Sequence, residues 1–110
     1  MKRDPLIVCA ALSAAVAIMA GAFAAHGASE EVANWLRTGA AYQLPHAAAA
    51  ITVTRFDRKA SWALLLGGVI FGLSLYALAL GSPRWFGAIT PIGGLTMIGG
   101  WLWLAFSRTR

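Results

Sequence analysis

The sequence predicts an all-α membrane protein: a four-transmembrane-helix bundle, both termini cytoplasmic, with a short amphipathic helix in the first outer loop. Three observations carry that expectation. The 110 residues are 59% hydrophobic and 12% charged, with a mean hydropathy of +0.68, whereas a soluble domain needs about a quarter of its residues charged. Four apolar runs approach the roughly 20 helical residues that cross a hydrocarbon core. The basic residues fall in short clusters between those runs. A chain of this length forms one domain.

The first run, Leu6 to Ala25, contains no charge and predicts a helix over about 6–25. Lys2 and Arg3 precede it and Ala22-Phe23-Ala24 could be a cleavage signature. The run is longer than the 7–15 apolar residues of a secretory signal, so an uncleaved helix is expected. The second run, Gly39 to Thr54, predicts a helix over about 39–56. It is the weakest, because it carries Tyr42, Gln43, Pro45 and His46. Trp62 to Leu80 and Trp85 to Phe106 predict helices over about 62–80 and 85–106. In lipid each run must be helical, since no water is present to satisfy backbone donors and acceptors.

Orientation follows from the cations. Lys2 and Arg3, then Arg55, Arg58 and Lys59, then Arg108 and Arg110 would share one side. Arg37 and Arg84 would occupy the other. The positive-inside rule then places both termini and the middle loop in the cytoplasm. Trp35 and Trp85 would mark the outer boundary, and Trp62 and Trp103 the inner one. The net charge of +5 and pI near 10.4 are explained by these clusters. They form no basic stripe interleaved with aromatics, so nucleic-acid binding is not expected. The bilayer is the expected partner, its anionic headgroups attracting such clusters.

In the first outer loop Ser29 can cap a short helix over about 29–38 whose first turn holds Glu30 and Glu31, as the helix dipole favours. Val32, Trp35 and Leu36 share one face, and Gly39 offers a stop. Such a helix would lie in the headgroup layer. Small residues mark packing faces: Ala17, Gly21 and Ala25 in the first helix, Gly68 and Gly72 in the third, Gly93 and Gly100 in the fourth. They let helix backbones approach closely. The contacts could be internal, or could join copies or a larger membrane complex.

Polar groups at membrane depth are costly and so become the candidate site. Gly39, Tyr42, Gln43, His46 and Ala50 fall within about a third of the helical circumference. His46 lies about 14 Å from the inner boundary at 1.5 Å per residue. Ser74 and Thr96 are expected at similar depth, with Tyr42, Tyr76 and Thr90 in a second layer. Two readings stay open. His46 could be a neutral side chain bonded to a neighbouring helix, or His46 and Tyr42 could hold a quinone or lipid headgroup. His26 would sit at the outer surface, about 15 Å above His46, too far to share a metal at distances near 2 Å. No metal site and no cofactor are therefore expected. The single Cys9 lies within the first run and can form no internal disulfide. Pro45 should kink the second helix beside His46, and Pro91 suits an opening turn.

No paired carboxylates or activated nucleophile occur in the predicted core, so an enzyme is not expected. The acids are Asp4, Glu30, Glu31 and Asp57, all outside it. A structural or accessory membrane component is the expected class. The alternatives are a subunit that binds quinone, lipid or haem, and an oligomeric pore or transporter.

The order of motifs adds a resemblance. Gly21-Ala22-Phe23-Ala24-Ala25-His26-Gly27, Trp35 with Thr38-Gly39, Tyr42-Gln43 with His46-Ala47, Ser74-Leu75-Tyr76, Ile89-Thr90-Pro91-Ile92-Gly93-Gly94 and Gly100-Trp101 follow one another. This set resembles the YgdD-like family of small inner-membrane proteins with four predicted helices, and it covers nearly the whole chain. The resemblance implies the fold and the membrane location, and it implies no activity. One departure is Leu44-Pro45, where a bulky or aromatic residue is expected before the histidine.

Overall fold

The computed structural model describes residues 2–107, and every regular element among them is helical. The order is α1 (Pro5–Ala25), α2 (Glu30–Val53), α3 (Arg58–Ala79), a short 3₁₀ segment (Arg84–Ala88) and α4 (Thr90–Phe106). Short connections make sequence neighbours antiparallel partners. α1 packs on α2, α2 on α3 and α3 on α4, while α1 and α3 scarcely touch. The molecule measures 47 × 32 × 18 Å, so its cross-section is nearly twice as wide as thick. This is a flattened bundle with α2 and α3 at its centre.

Local sequence sets the helix ends. Asp4 caps α1 by accepting from the Leu6 amide at 2.9 Å, and Pro5 follows where no helical N–H is needed. Ser29 caps α2, with Glu30 and Glu31 in its first turn. Asp57 caps α3 by accepting from the Ala60 amide at 3.0 Å. Gly27 and Gly81, at φ 81° and 97°, turn the chain after α1 and α3, a conformation that Cβ-bearing residues avoid.

Three stretches are long and apolar enough to cross a membrane: α1, α3 and Arg84–Phe106. α2 has the length, at about 36 Å for its 24 residues, but not the apolar composition. The expected break between an interfacial helix over 29–38 and a spanning helix over 39–56 is absent. α2 runs without interruption from Glu30 to Val53. Gly39 is buried inside it, because a Cβ there would lie 2.5 Å from the Tyr76 ring. Glycine at this point admits a neighbour and does not end the helix. Likewise α3 begins at Arg58, a turn before Trp62, because Asp57 caps it there. The run expected over 85–106 divides at Ile89, with Pro91 in the first turn of α4.

Glycine governs the α3–α4 seam. A Cβ on Gly67 would lie 2.7 Å from the Met97 nitrogen, and one on Gly93 would lie 2.5 Å from the Phe71 nitrogen. The two backbones are in direct contact. Gly68 and Gly72 face α2 instead, and Gly100 faces Leu64 and Ala63. On α1 the buried stripe is Leu6, Ala10, Ser13, Ala17 and Ala24. Ala25, expected in that stripe, is exposed, because the spacing settles to sevens with fours and threes between, which returns to Ala24.

The end of the molecule that holds the α1 N-terminus is tied by charge. Arg58 meets Asp4 with two nitrogens on two oxygens, at 2.6 and 3.0 Å. That guanidinium holds the Asp4 carboxyl below the usual carboxylate range. Asp57 is held low too, first by the Ala60 amide, and it also accepts from the Trp103 indole at 3.0 Å. These bonds gather the start of α1, the α2–α3 connection and the end of α4.

Candidate functional site

The polar residues on α2 divide between two faces. Gln43 is 2% exposed and faces inward, toward both neighbouring helices. Its Nε2 donates to Ser13 Oγ on α1 at 2.8 Å, and its Oε1 accepts from the Tyr76 hydroxyl on α3 at 2.6 Å. One amide thus joins three helices, two of which barely meet otherwise. Gly72 leaves room for it, since a Cβ there would lie 2.9 Å from Gln43 Oε1.

His46 lies to one side of this joint and is half-buried. Trp101 Nε1 on α4 donates to His46 Nε2 at 3.0 Å, with the rings edge to face. An indole N–H can only donate, so the geometry requires the imidazole proton on Nδ1. Nδ1 then donates to the Tyr42 carbonyl at 2.7 Å. Both ring nitrogens therefore have partners inside the chain. An open groove of about 430 Å³ runs along this network, walled by Tyr42, His46, Phe71, Met97 and Trp101. The Tyr42 ring leans on Phe71 with centroids 4.7 Å apart.

The remaining sequence candidates separate. Ser74 and Thr90 share a hydrogen bond of 2.6 Å between their hydroxyls, where α3 meets the start of α4. Thr96 does not join them. Its hydroxyl donates to the Ile92 carbonyl of its own helix at 2.8 Å, the usual recourse of a threonine with no neighbour in reach. His26 ends α1 as its exposed C-cap. The expected single layer is thus three small networks: Ser13–Gln43–Tyr76, His46 with Trp101 and the Tyr42 backbone carbonyl, and Ser74–Thr90.

Sequence reasoning missed two members. Ser13 is the only hydroxyl in the apolar run of α1, and its spacing from Leu6 and Ala17 could have marked it as inward-facing. Trp101 carries an N–H donor inside the apolar α4, and a donor there calls for an acceptor. Among the described residues no group of three His, Cys, Asp or Glu side chains could hold a metal ion. No buried side-chain nitrogen or oxygen among them lacks a hydrogen-bond partner.

The His46 network makes a measurable prediction. His46→Leu orphans the Trp101 N–H and should cost about 0.6–2 kcal/mol, the range for interhelical hydrogen bonds in membranes. His46→Gln keeps an acceptor and should be tolerated. Thermal unfolding in detergent checks both. Equal melting of the leucine and glutamine variants would show that the bond to Trp101 adds no stability.

Known proteins give a consistent comparison. A family described as "Protein of unknown function (DUF423)" matches residues 20–94. The "UPF0382 membrane protein" of Haemophilus influenzae is 35% identical over 119 residues, covering 98% of this chain and 96% of that protein. The "UPF0382 membrane protein SH2409" of Staphylococcus haemolyticus is 38% identical, covering 94% of each. The "UPF0382 inner membrane protein YgdD" of Escherichia coli K12 is 34% identical over 96% of this chain and 89% of its own length. No solved structure matches the chain. With its motifs, apolar helices and near full-length relatives in agreement, the chain belongs to the DUF423 family and is an integral membrane protein.

Proposed function

We propose that this is a four-pass protein of the inner membrane, both termini cytoplasmic, serving as a structural or accessory component and not as an enzyme. The observation that carries this reading is the Ser13–Gln43–Tyr76 joint. Polar groups at depth that served a substrate would be left open to it. Here the buried ones are paired with one another, as groups that lock helices together are.

Other features support the finer points. α2 lacks apolar composition, yet its inward polar groups are matched by α1 and α3, so it can cross beside them. Lys2, Arg3, Arg55, Arg58 and Lys59 belong to the end tied by the Asp4–Arg58 pair. Glu30, Glu31, Arg37 and Arg84 belong to the other. That asymmetry favours the first end in the cytoplasm. Arg108 and Arg110, which the sequence count includes, lie outside the described residues. Ser29 and the first turns of α2 would then stand at the outer headgroup layer as the exposed start of a longer helix.

Asp4 and Asp57, the acids nearest the basic end, are engaged as helix caps, which leaves no free carboxylate pair at that end for general acid–base work. The glycines at the α2–α3 and α3–α4 seams are occupied internally. A larger complex or second copy would therefore dock on the outer faces of α1 and α4. A phosphatase-type reporter, active only outside the cytoplasm, should be silent when fused after Arg110 and active when inserted near Ser82. Activity at the C-terminus would overturn the orientation. Extraction in mild detergent tests the class: a stoichiometric larger partner supports it, whereas a bare homo-oligomer that conducts ions or solutes overturns it.

A further inference from the structure

At the basic end two grooves run together. One is a hollow of about 440 Å³ lined by Arg55, Asp57, Arg58, Lys59, Trp103 and Ser107. The other, of about 450 Å³, continues from Trp103 and Ser107 along Gly99, Leu102 and Phe106 of α4. The first mixes polar and apolar surface, and the second is almost wholly apolar. They share a wall, so one occupant could lie in both. We infer that this is a site for an anionic phospholipid, its phosphate between Arg55 and Lys59 and an acyl chain against α4.

The charge arrangement selects the sign of the headgroup. Asp4 has both oxygens on Arg58, and Asp57 is committed to the Ala60 amide and the Trp103 indole. No carboxylate among the described residues lies within ion-pair distance of Arg55 or Lys59. Their charges rest on aromatic faces instead. The Lys59 ammonium stands 6.0 Å from the Trp103 ring centroid, and the Arg55 guanidinium 5.9 Å from that of Phe56. Cation–π contact leaves the outer side of each cation open to an anion. The apolar groove selects the tail. Gly99 has nothing within 4 Å of where a Cβ would be, so the face of α4 carries a furrow flanked by Leu102 and Phe106. Soluble phosphate would satisfy the cations and leave that furrow empty, whereas a phospholipid fills both. Cations beside a spanning helix attract anionic lipid at about 1 kcal/mol each.

The inference rests on the four-pass proposal only in placing this end in a headgroup layer. Its test does not, because both leaflets of a nanodisc offer the same lipid. Purified protein in nanodiscs of mixed phosphatidylglycerol and phosphatidylcholine would be released into mild detergent and its retained lipids weighed by native mass spectrometry. Phosphatidylglycerol should stay bound at one per chain in preference to phosphatidylcholine. Arg55→Gln and Lys59→Gln should each weaken retention about fivefold. Arg55→Lys should keep it, and Arg84→Gln at the opposite end should leave it unchanged. On the unmodified protein, raising salt should release the lipid, which keeps the test valid if a variant fails to fold. Equal retention of the two lipids, retention insensitive to Arg55 and Lys59, or binding of inorganic phosphate with no lipid held would each overturn the assignment. A failed reporter fusion with preserved lipid selectivity would reverse the orientation and leave this site standing.

Discussion

Gly93→Ala should be the most damaging single methyl in the molecule. Its Cβ would lie 2.5 Å from the Phe71 nitrogen, 2.8 Å from the Phe71 Cα and 2.7 Å from the Gly67 oxygen. All three are backbone atoms, which cannot rotate away as a side chain can. α3 and α4 must therefore separate, and every contact along their seam loosens with them. Overpacking of this kind costs about 1–3 kcal/mol and occasionally more, and this site belongs at the upper end. Gly99→Ala is the matched control, on the same helix with open space around it. It gains helix propensity and should melt at or above the parent temperature. Thermal unfolding in one detergent compares them, and equal melting of the two alanine variants would mean that the seam is looser than it stands here.

Gln43→Leu should be the most damaging loss of polarity. It removes both ends of the three-helix joint and leaves the buried Tyr76 hydroxyl without an acceptor. An unsatisfied buried donor costs about 1–3 kcal/mol. Tyr76→Phe should cost less, because Gln43 still holds Ser13. The double variant separates the effects. With the orphaned hydroxyl gone, Gln43→Leu combined with Tyr76→Phe should be more stable than Gln43→Leu alone, a non-additivity expected of residues in one network. Strict additivity of the two changes would show that the Tyr76–Gln43 bond contributes nothing.

The contrast between Gln43 and Ser13 shows what a sequence makes legible. Gln43 stands out because an amide in an apolar run is expensive, and expense is a property of one residue. Ser13 is a small hydroxyl that a helix can satisfy by itself, so nothing marks it until the rotation of α1 against α2 is known. Gly67 and Gly68 make the same point. Both are small and adjacent, yet Gly67 meets α4 and Gly68 meets α2, a choice made by helix rotation. Charge clusters and apolar runs place the helices, since each is a local sum. Gly39 misled because glycine ends helices in water-exposed settings and opens packing seams in buried ones, and only the presence of Tyr76 decides between them. Thr96 was placed by depth alone, which says how high a side chain sits but not which way it turns.

The Gln43 joint has a consequence for how the chain is made. Neither partner of that amide lies on its own helix: Ser13 precedes it by 30 residues and Tyr76 follows it by 33. Under the four-pass proposal, α2 is synthesised after one partner and before the other. It lacks the apolar composition to partition into lipid unaided, so α1 must be retained beside it as the two enter together. The amide oxygen then waits, unmatched, until α3 follows. Biogenesis would be a relay in which each helix makes the next one soluble in the bilayer, and a chain stopped after Val53 would hold a polar edge that quality-control proteases can recognise.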